Sequence, residues 1–254
     1  MIPHTKAFAR LKEQAGATFN FAIVVCHAVP SLKLALKTAG DGGPLPFAPD
    51  YFDSRPIPTA KVREHVTNYK EVLSRQIFLS SFSFFEAYFL DLLKEIVDFH
   101  GGTKLLDKLA LSRNASLTDA DTQKEKRKLQ EYRVPKNEGA YATYGSKLAK
   151  KGFAFPSTLL ARYGIEQLLK TLDTDYIKAA SIPDLIESVL QLPLDTAEKE
   201  RFSSYRDMRN KIAHGRPDAT SFHLRKAVEA NDFLRNLALK IDRHVIENFL
   251  IVEP

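Results

Sequence analysis

Apolar positions in this chain recur in steps of three and four, the spacing of one face of an α-helix. The pattern is clearest in IFLSSFSFFEAYFLDLLKEIVDF, residues 77–99, where Phe78, Phe82, Phe85, Phe89, Leu92 and Ile96 form one stripe. It predicts a long helix from about Lys61 to Phe99, stopped by Gly101 and Gly102. A first helix is predicted from Lys6 to Val29, and others over Asp119–Glu131, 157–171, 183–191, Thr196–Ala213 and Ser221–Phe249. Runs that alternate apolar and polar residues are nearly absent, and no internal repeat is visible. The fold class is therefore all-α.

Breaks in the pattern define the organisation. Residues 41–60 contain five prolines, so neither a helix nor a central strand can persist there. Phe47, Tyr51 and Phe52 in this stretch suggest a loop that packs on something. Residues 1–60 are thus expected to form an N-terminal helix and a Pro-rich loop docked on a main helical domain, 61–254, with a basic insertion around 101–156. Within the insertion, 135–156 reads as a loop rich in glycine and tyrosine. The apolar stretch Ala17–Val29 carries Asn20 and His27 and is too short to span a bilayer. Glu13 interrupts the basic residues before it, against a signal peptide. A buried helix is expected there, with no membrane partner.

The helix beginning at Thr196 has defined ends. Asp195 suits an N-cap and Glu198 completes a capping box. Gly215 falls where a left-handed C′ residue is wanted, and Pro217 follows. Its last turns read RDMRNKIAHGRP, and cations there are also favoured by the helix dipole.

Two charges lie on apolar faces. Glu86 interrupts the phenylalanine stripe, among Leu79, Phe82, Phe89, Leu90 and Leu93 at helical spacing. Arg209 projects between the directions of Phe202 and Tyr205. A charge in such a setting is costly unless paired. Glu86 and Arg209 are expected to pair; the alternative is that each side chain reaches past its neighbours to water. Asn210 and His214 share a different face, with His214 about 140° from Arg209 on an ideal helix. The two can converge at a loosened last turn or meet across a dimer interface.

Composition adds a partner class. The 254 residues carry a formal charge of +6, compatible with a polyanion. Cys26 is the single cysteine, which excludes an intramolecular disulfide and cysteine-ligated zinc and fits a reducing cytoplasm. No metal or cofactor is expected.

The segment Arg209-Asn210-Lys211-Ile212-Ala213-His214 resembles the Arg-x4–6-His motif of HEPN domains, in the form with a polar residue after the arginine. Its place near the end of the penultimate long helix agrees, as does Glu86 on an earlier phenylalanine-rich helix. The resemblance covers residues 61–250, and the chain is longer than the family's minimal toxins. It implies a HEPN-like bundle with long antiparallel helices and added N-terminal and inserted helices. It also implies a metal-independent endoribonuclease of toxin or antiviral type, with a composite site in a homodimer and an antitoxin or sensor as a further partner. Alternatives are a catalytically silent HEPN module and a structural helical protein in which Arg209 and His214 serve as cap and core polar groups.

The residues suit that chemistry. RNA is cut without metal when its 2′-hydroxyl attacks the adjacent phosphorus, leaving a 2′,3′-cyclic phosphate and a 5′-hydroxyl. An imidazole serves as base or acid at neutral pH, the role of His214. A guanidinium stabilises the crowded phosphate, the role of Arg209. Asn210 would orient phosphate or imidazole, and Glu86 would hold Arg209. Arg206, Lys211 and Arg216 flank the motif as phosphate contacts. Lys147, Lys150 and Lys151, near Tyr141 and Tyr144, suit single-stranded RNA through charge and stacking. The run Lys124, Lys126, Arg127 and Lys128 is better read as a solvated helix face.

Overall fold

A computed structural model of the chain describes residues 3–39, 59–101, 138–156, 158–159, 177–215 and 222–252, with 124–125, 127–129, 168 and 171–172 besides. All regular structure among them is helical: α1 (Lys6–Ala39), α2 (Thr59–Phe99), α3 (Glu138–Lys150), α4 (Ile182–Ser188), α5 (Thr196–Ala213) and α6 (Leu224–Asn248), with a short 3₁₀ turn at Ala179–Ser181. The Pro-rich stretch with Phe47, Tyr51 and Phe52 lies outside the described residues, as does most of the predicted helices at 119–131 and 157–171.

α2 is the axis of the fold. Every residue of its predicted stripe is fully buried, each side chain contributing about 1.5–3 kcal/mol of hydrophobic stabilisation. α6 runs parallel to α2 in constant register: Ser81 Oγ donates to Asn231 Oδ1 at 3.2 Å, Tyr88 Oη to the Ala238 carbonyl at 2.9 Å, and the His100 ring meets the Phe249 carbonyl at 2.6 Å. The long connection between the two helices permits this parallel arrangement. α5 crosses α2 near Phe82, where Phe202 packs on Phe82 and Phe85. Its start shows the expected capping box, with Glu198 N donating to Asp195 Oδ1 at 2.7 Å and Asp195 N to Glu198 Oε2 at 3.0 Å. Lys240 of α6 also binds that Glu198 carboxylate, at 2.7 Å.

α1 runs antiparallel to α2 and is pinned at its first turn. Thr5 Oγ1 accepts from Phe8 N at 3.1 Å, while the Glu95 carboxylate of α2 accepts from Lys6 N and Ala7 N at 3.0 Å each. Three of the donors that a helix start leaves unpaired are thereby satisfied. Fully buried Asp242 of α6 accepts from Thr5 N at 3.1 Å and Thr5 Oγ1 at 2.5 Å, and lies 3.0 Å from His4 Nδ1.

Three expectations need correction. α1 continues through Pro30 to Ala39, where the sequence predicts an end at Val29. A proline costs the helix one internal hydrogen bond; here the next turns regain contacts, because Ala35 and Leu36 are buried and Arg63 of α2 donates to the Leu36 carbonyl at 2.7 Å. The Ala17–Val29 stretch is not a buried helix. Only Ala22 is buried, while Phe21, Ile23 and Val24 are more than half exposed, because one face docks on α2 and the others meet nothing among the described residues. By length and composition alone, α1 is apolar enough to cross a membrane. Finally, residues 138–150 form α3, where a loop is predicted. Leu148 is buried with Leu129, Phe153 and Ile251, and Tyr144 packs against them. This tertiary burial overrides the weak helix propensity of Gly139 and Gly145.

The clamp on α1 leads to a prediction. Asp242→Ala leaves two buried donors of Thr5 unmatched and should lower the unfolding free energy by about 3 kcal/mol, against about 1 kcal/mol for Thr5→Ala. Urea unfolding followed by circular dichroism measures both; a loss below about 1 kcal/mol for Asp242→Ala contradicts the clamp.

Candidate active site

The Arg209 guanidinium is held from three directions. Its Nη2 donates to Glu86 Oε2 at 3.0 Å, and its Nη1 donates to Asn210 Oδ1 at 3.1 Å. Its central carbon lies 5.9 Å from the centre of the Phe82 ring, a cation–π distance. The two charges on apolar faces thus meet, and neither simply reaches past its neighbours to water. Both side chains stay partly open, 30% exposed for Arg209 and 19% for Glu86. A guanidinium carries five N–H donors in a plane. Among the described residues two are used here, which leaves the rest open to an anion.

Burial pushes the Glu86 carboxyl above its ordinary value of 4.5, and the charge of Arg209 and its hydrogen bond work in the opposite direction. The desolvation cost is the larger effect. Such a pair contributes little net stability; what it does contribute is one fixed orientation for the guanidinium.

His214 sits at the end of α5. Its backbone N–H donates to the Asn210 carbonyl at 3.0 Å, and Gly215 N donates to the Ile212 carbonyl at 3.1 Å. Gly215 adopts φ +62°, the left-handed conformation that a residue without Cβ enters freely. The helix therefore ends at Ala213 with His214 as its C-cap, and the imidazole is exposed and makes no hydrogen bond among the described residues. Asn210 joins the two halves of the motif: its side chain holds Arg209 and its carbonyl holds the backbone of His214. Among the described residues no hydrogen bond joins the Arg209 and His214 side chains, in keeping with their separation of about 140° on the helical wheel.

The flanking cations are distributed unevenly. Arg206 turns to Asp207, with Nη2 and Nε donating at 2.8 and 3.1 Å. Lys211 is exposed on α5, and Arg216 lies outside the described residues. Lys147 is 3.8 Å from Glu125; Lys150 and Lys151 are exposed at the end of α3. Tyr144 is half-buried against Leu148 and its neighbours. α3 packs by Ile251, just past the end of α6, whereas Met208 and Ile212 of α5 pack with Phe222 and Ala227 at its start. The 25-residue α6 separates these ends by about 36 Å. The lysines of 147–151 and the Arg209–His214 motif therefore do not form one local site within a single chain.

Two features escape the sequence reading. Phe82 belongs to the apolar stripe, yet it also supports the guanidinium. A shallow cleft of about 380 Å³ between α2 and the start of α6 is lined by Lys70, Glu71, His223 and Arg225. It shares Phe222 with the cluster under Met208 and Ile212. The only signal for it is the long-range packing of α2 on α6, which no local pattern carries.

A family model described as RiboL-PSP-HEPN matches residues 58–247. The chain belongs to this HEPN family. The match begins one residue before α2 and ends one residue before the end of α6, so it takes in Glu86, the whole of α5 and the helix that supports both. Neither the curated proteins nor the solved structures include a match to the chain. HEPN membership associates the chain with nuclease and other RNA-related roles.

Arg209→Ala should expose the cost of the Glu86 carboxylate. Without Arg209 the carboxyl shifts further above 4.5 in the folded state, so ionisation opposes folding as pH rises through that window. The expected loss is about 1–3 kcal/mol at pH 7.5, shrinking at pH 5 as Glu86 protonates. Denaturant midpoints at the two pH values check this; an equal loss at both contradicts the pairing.

Proposed function

We propose that this protein is a metal-independent endoribonuclease that cleaves RNA through its own 2′-hydroxyl, leaving a 2′,3′-cyclic phosphate and a 5′-hydroxyl. The observation that carries the reading is the contrast between the two ends of the motif: a guanidinium locked by Glu86, Asn210 and Phe82, and an exposed imidazole at a helix terminus five residues on. The first is suited to a fixed charge that meets a phosphate in one orientation. The second is suited to proton transfer, which needs access to the reacting oxygen. Arg209 stabilises the pentacoordinate phosphorane, His214 moves the proton, Asn210 orients phosphate or imidazole, and Glu86 positions Arg209.

One arginine and one histidine that diverge on a helix make a sparse set. A homodimer in which two α5 ends face each other doubles them, so that the imidazole of one subunit acts beside the guanidinium of its partner. Lys211 and Arg216 then contact the phosphates next to the scissile one, joined by Arg206 once RNA competes for its guanidinium with Asp207. Lys147, Lys150 and Lys151 with Tyr144 contact RNA farther along the strand. The biological role proposed is that of a cytoplasmic toxin or antiviral effector, restrained by an antitoxin or a sensor. A catalytically silent module that binds RNA, nucleotide or protein is the competing reading.

Incubating the purified protein with a mixed-sequence single-stranded RNA in EDTA tests the proposal. Cleavage with cyclic-phosphate ends is expected, falling by about 10²–10⁴-fold in His214→Ala with folding unchanged. Mixing Arg209→Ala with His214→Ala should restore part of the activity through mixed dimers. No cleavage by the unaltered protein at any concentration favours the silent module.

A further inference from the structure

α1 and α6 both pack on α2; the Thr5–Asp242 clamp joins them at one end, and Phe19 and Ala22 share a core cluster with Ala227 and Ala230 at the other. The gap between them is a pocket of about 710 Å³ floored by Ser81 and Phe84 of α2. Its walls are mainly apolar, with Phe8, Leu11 and Phe19 from α1 and Leu234 and Leu239 from α6. On α1 alone it runs from Phe8 to Phe19, about 16 Å at the rise of a helix. Lys12 and Gly16 line it from α1, and Asn231 and Arg235 from α6.

Three observations say what such a groove accepts. Lys12, Arg235 and Arg243 all line it, against the single carboxylate of Asp232, and none of the three cations makes an ion pair among the described residues. Like charges facing one another across an apolar gap repel unless an anion lies between them. Asn231 lines the pocket and is 7% exposed; its carbonyl oxygen is taken by Ser81, and its N–H₂ group has no partner among the described residues. Gly16, inside α1, has nothing within 4 Å of where a Cβ would stand. A glycine inside a helix costs stability, and a neighbouring helix does not need this one; its effect is to leave the groove open.

We propose that this pocket binds a small amphipathic anion, an extended aliphatic chain ending in a carboxylate or phosphate. The chain lies along Phe8, Leu11, Phe84 and Leu239, the head group sits between Lys12 and Arg235, and the Asn231 amide donates to it. This site is separate from the Arg209–His214 motif and does not depend on the nuclease reading.

The test titrates the full-length protein by isothermal calorimetry with dodecanoate and dodecyl phosphate below their micellar concentrations, and with dodecanol as the uncharged control. Expected is saturable binding of one anion per chain, at least tenfold tighter than the alcohol. The stronger of the two anions identifies the head group. The double variant Lys12→Gln, Arg235→Gln should weaken binding at least tenfold, and Gly16→Leu should abolish it by filling the groove, with circular dichroism and melting temperature confirming the fold. Absence of saturable binding, equal affinity for dodecanol, or binding indifferent to Gly16→Leu overturns the proposal. So does a result in which Gly16→Leu instead dissociates an oligomer, or in which only anionic phosphatidylserine vesicles are bound, since the groove would then serve a second copy or a membrane.

Discussion

The ion pair between Glu86 and Arg209 is the constraint around which the candidate site of this molecule is arranged. It joins α2 to the second-to-last turn of α5 at 3.0 Å. The attraction is opposed by desolvation, which dominates at the carboxyl. A pair of this kind is a poor source of stability. It makes physical sense as a device that sacrifices some folding free energy to hold a cation still in a place where an anion can reach it. The capping box at Asp195, the Phe202 contacts with α2 and the stop at Gly215 all set the pitch and length of α5 so that Arg209 meets Glu86 while His214 emerges into solvent.

The remainder of the fold supports α2 in turn. α6 lies along it in parallel register, fixed by Ser81, Tyr88 and His100, and α1 runs back along another face, fixed by Glu95 and Asp242. These fixings are polar and specific, set into a core that is otherwise apolar. The apolar stripe supplies most of the folding free energy, whereas the hydrogen bonds choose the register. α1 is the exception in the other direction. It lies before the matched family region, docks through one face, and leaves Phe21, Ile23 and Val24 exposed.

Much of this was legible in the sequence because it is written in local spacing. The stripe from Phe78 to Ile96 has the period of a helix, so α2 could be read directly. A glutamate and an arginine on apolar faces announced a pair, since isolated charges there are too costly. Asp195, Glu198 and Gly215 marked the ends of α5 by their capping chemistry, which put His214 at the end of the helix. What was not legible depends on distant contacts. Pro30 suggests a helix end, and only Arg63 and the burial of Leu36 explain why α1 continues. Gly139 and Gly145 suggest a loop, and only the packing of Leu148 on Ile251 explains α3. No local signal tells that Lys147 and Lys150 lie at the opposite end of α6 from the motif.

The central claim is that Glu86 acts through Arg209, and a double-mutant cycle on RNA cleavage tests it most directly. Rates are compared for Glu86→Gln and Arg209→Ala, alone and combined, with melting temperatures measured alongside. The account predicts that Glu86→Gln slows cleavage in the unaltered protein and has no further effect once Arg209 is alanine. Independent, additive losses, or a loss of activity explained entirely by unfolding of Glu86→Gln, would contradict it.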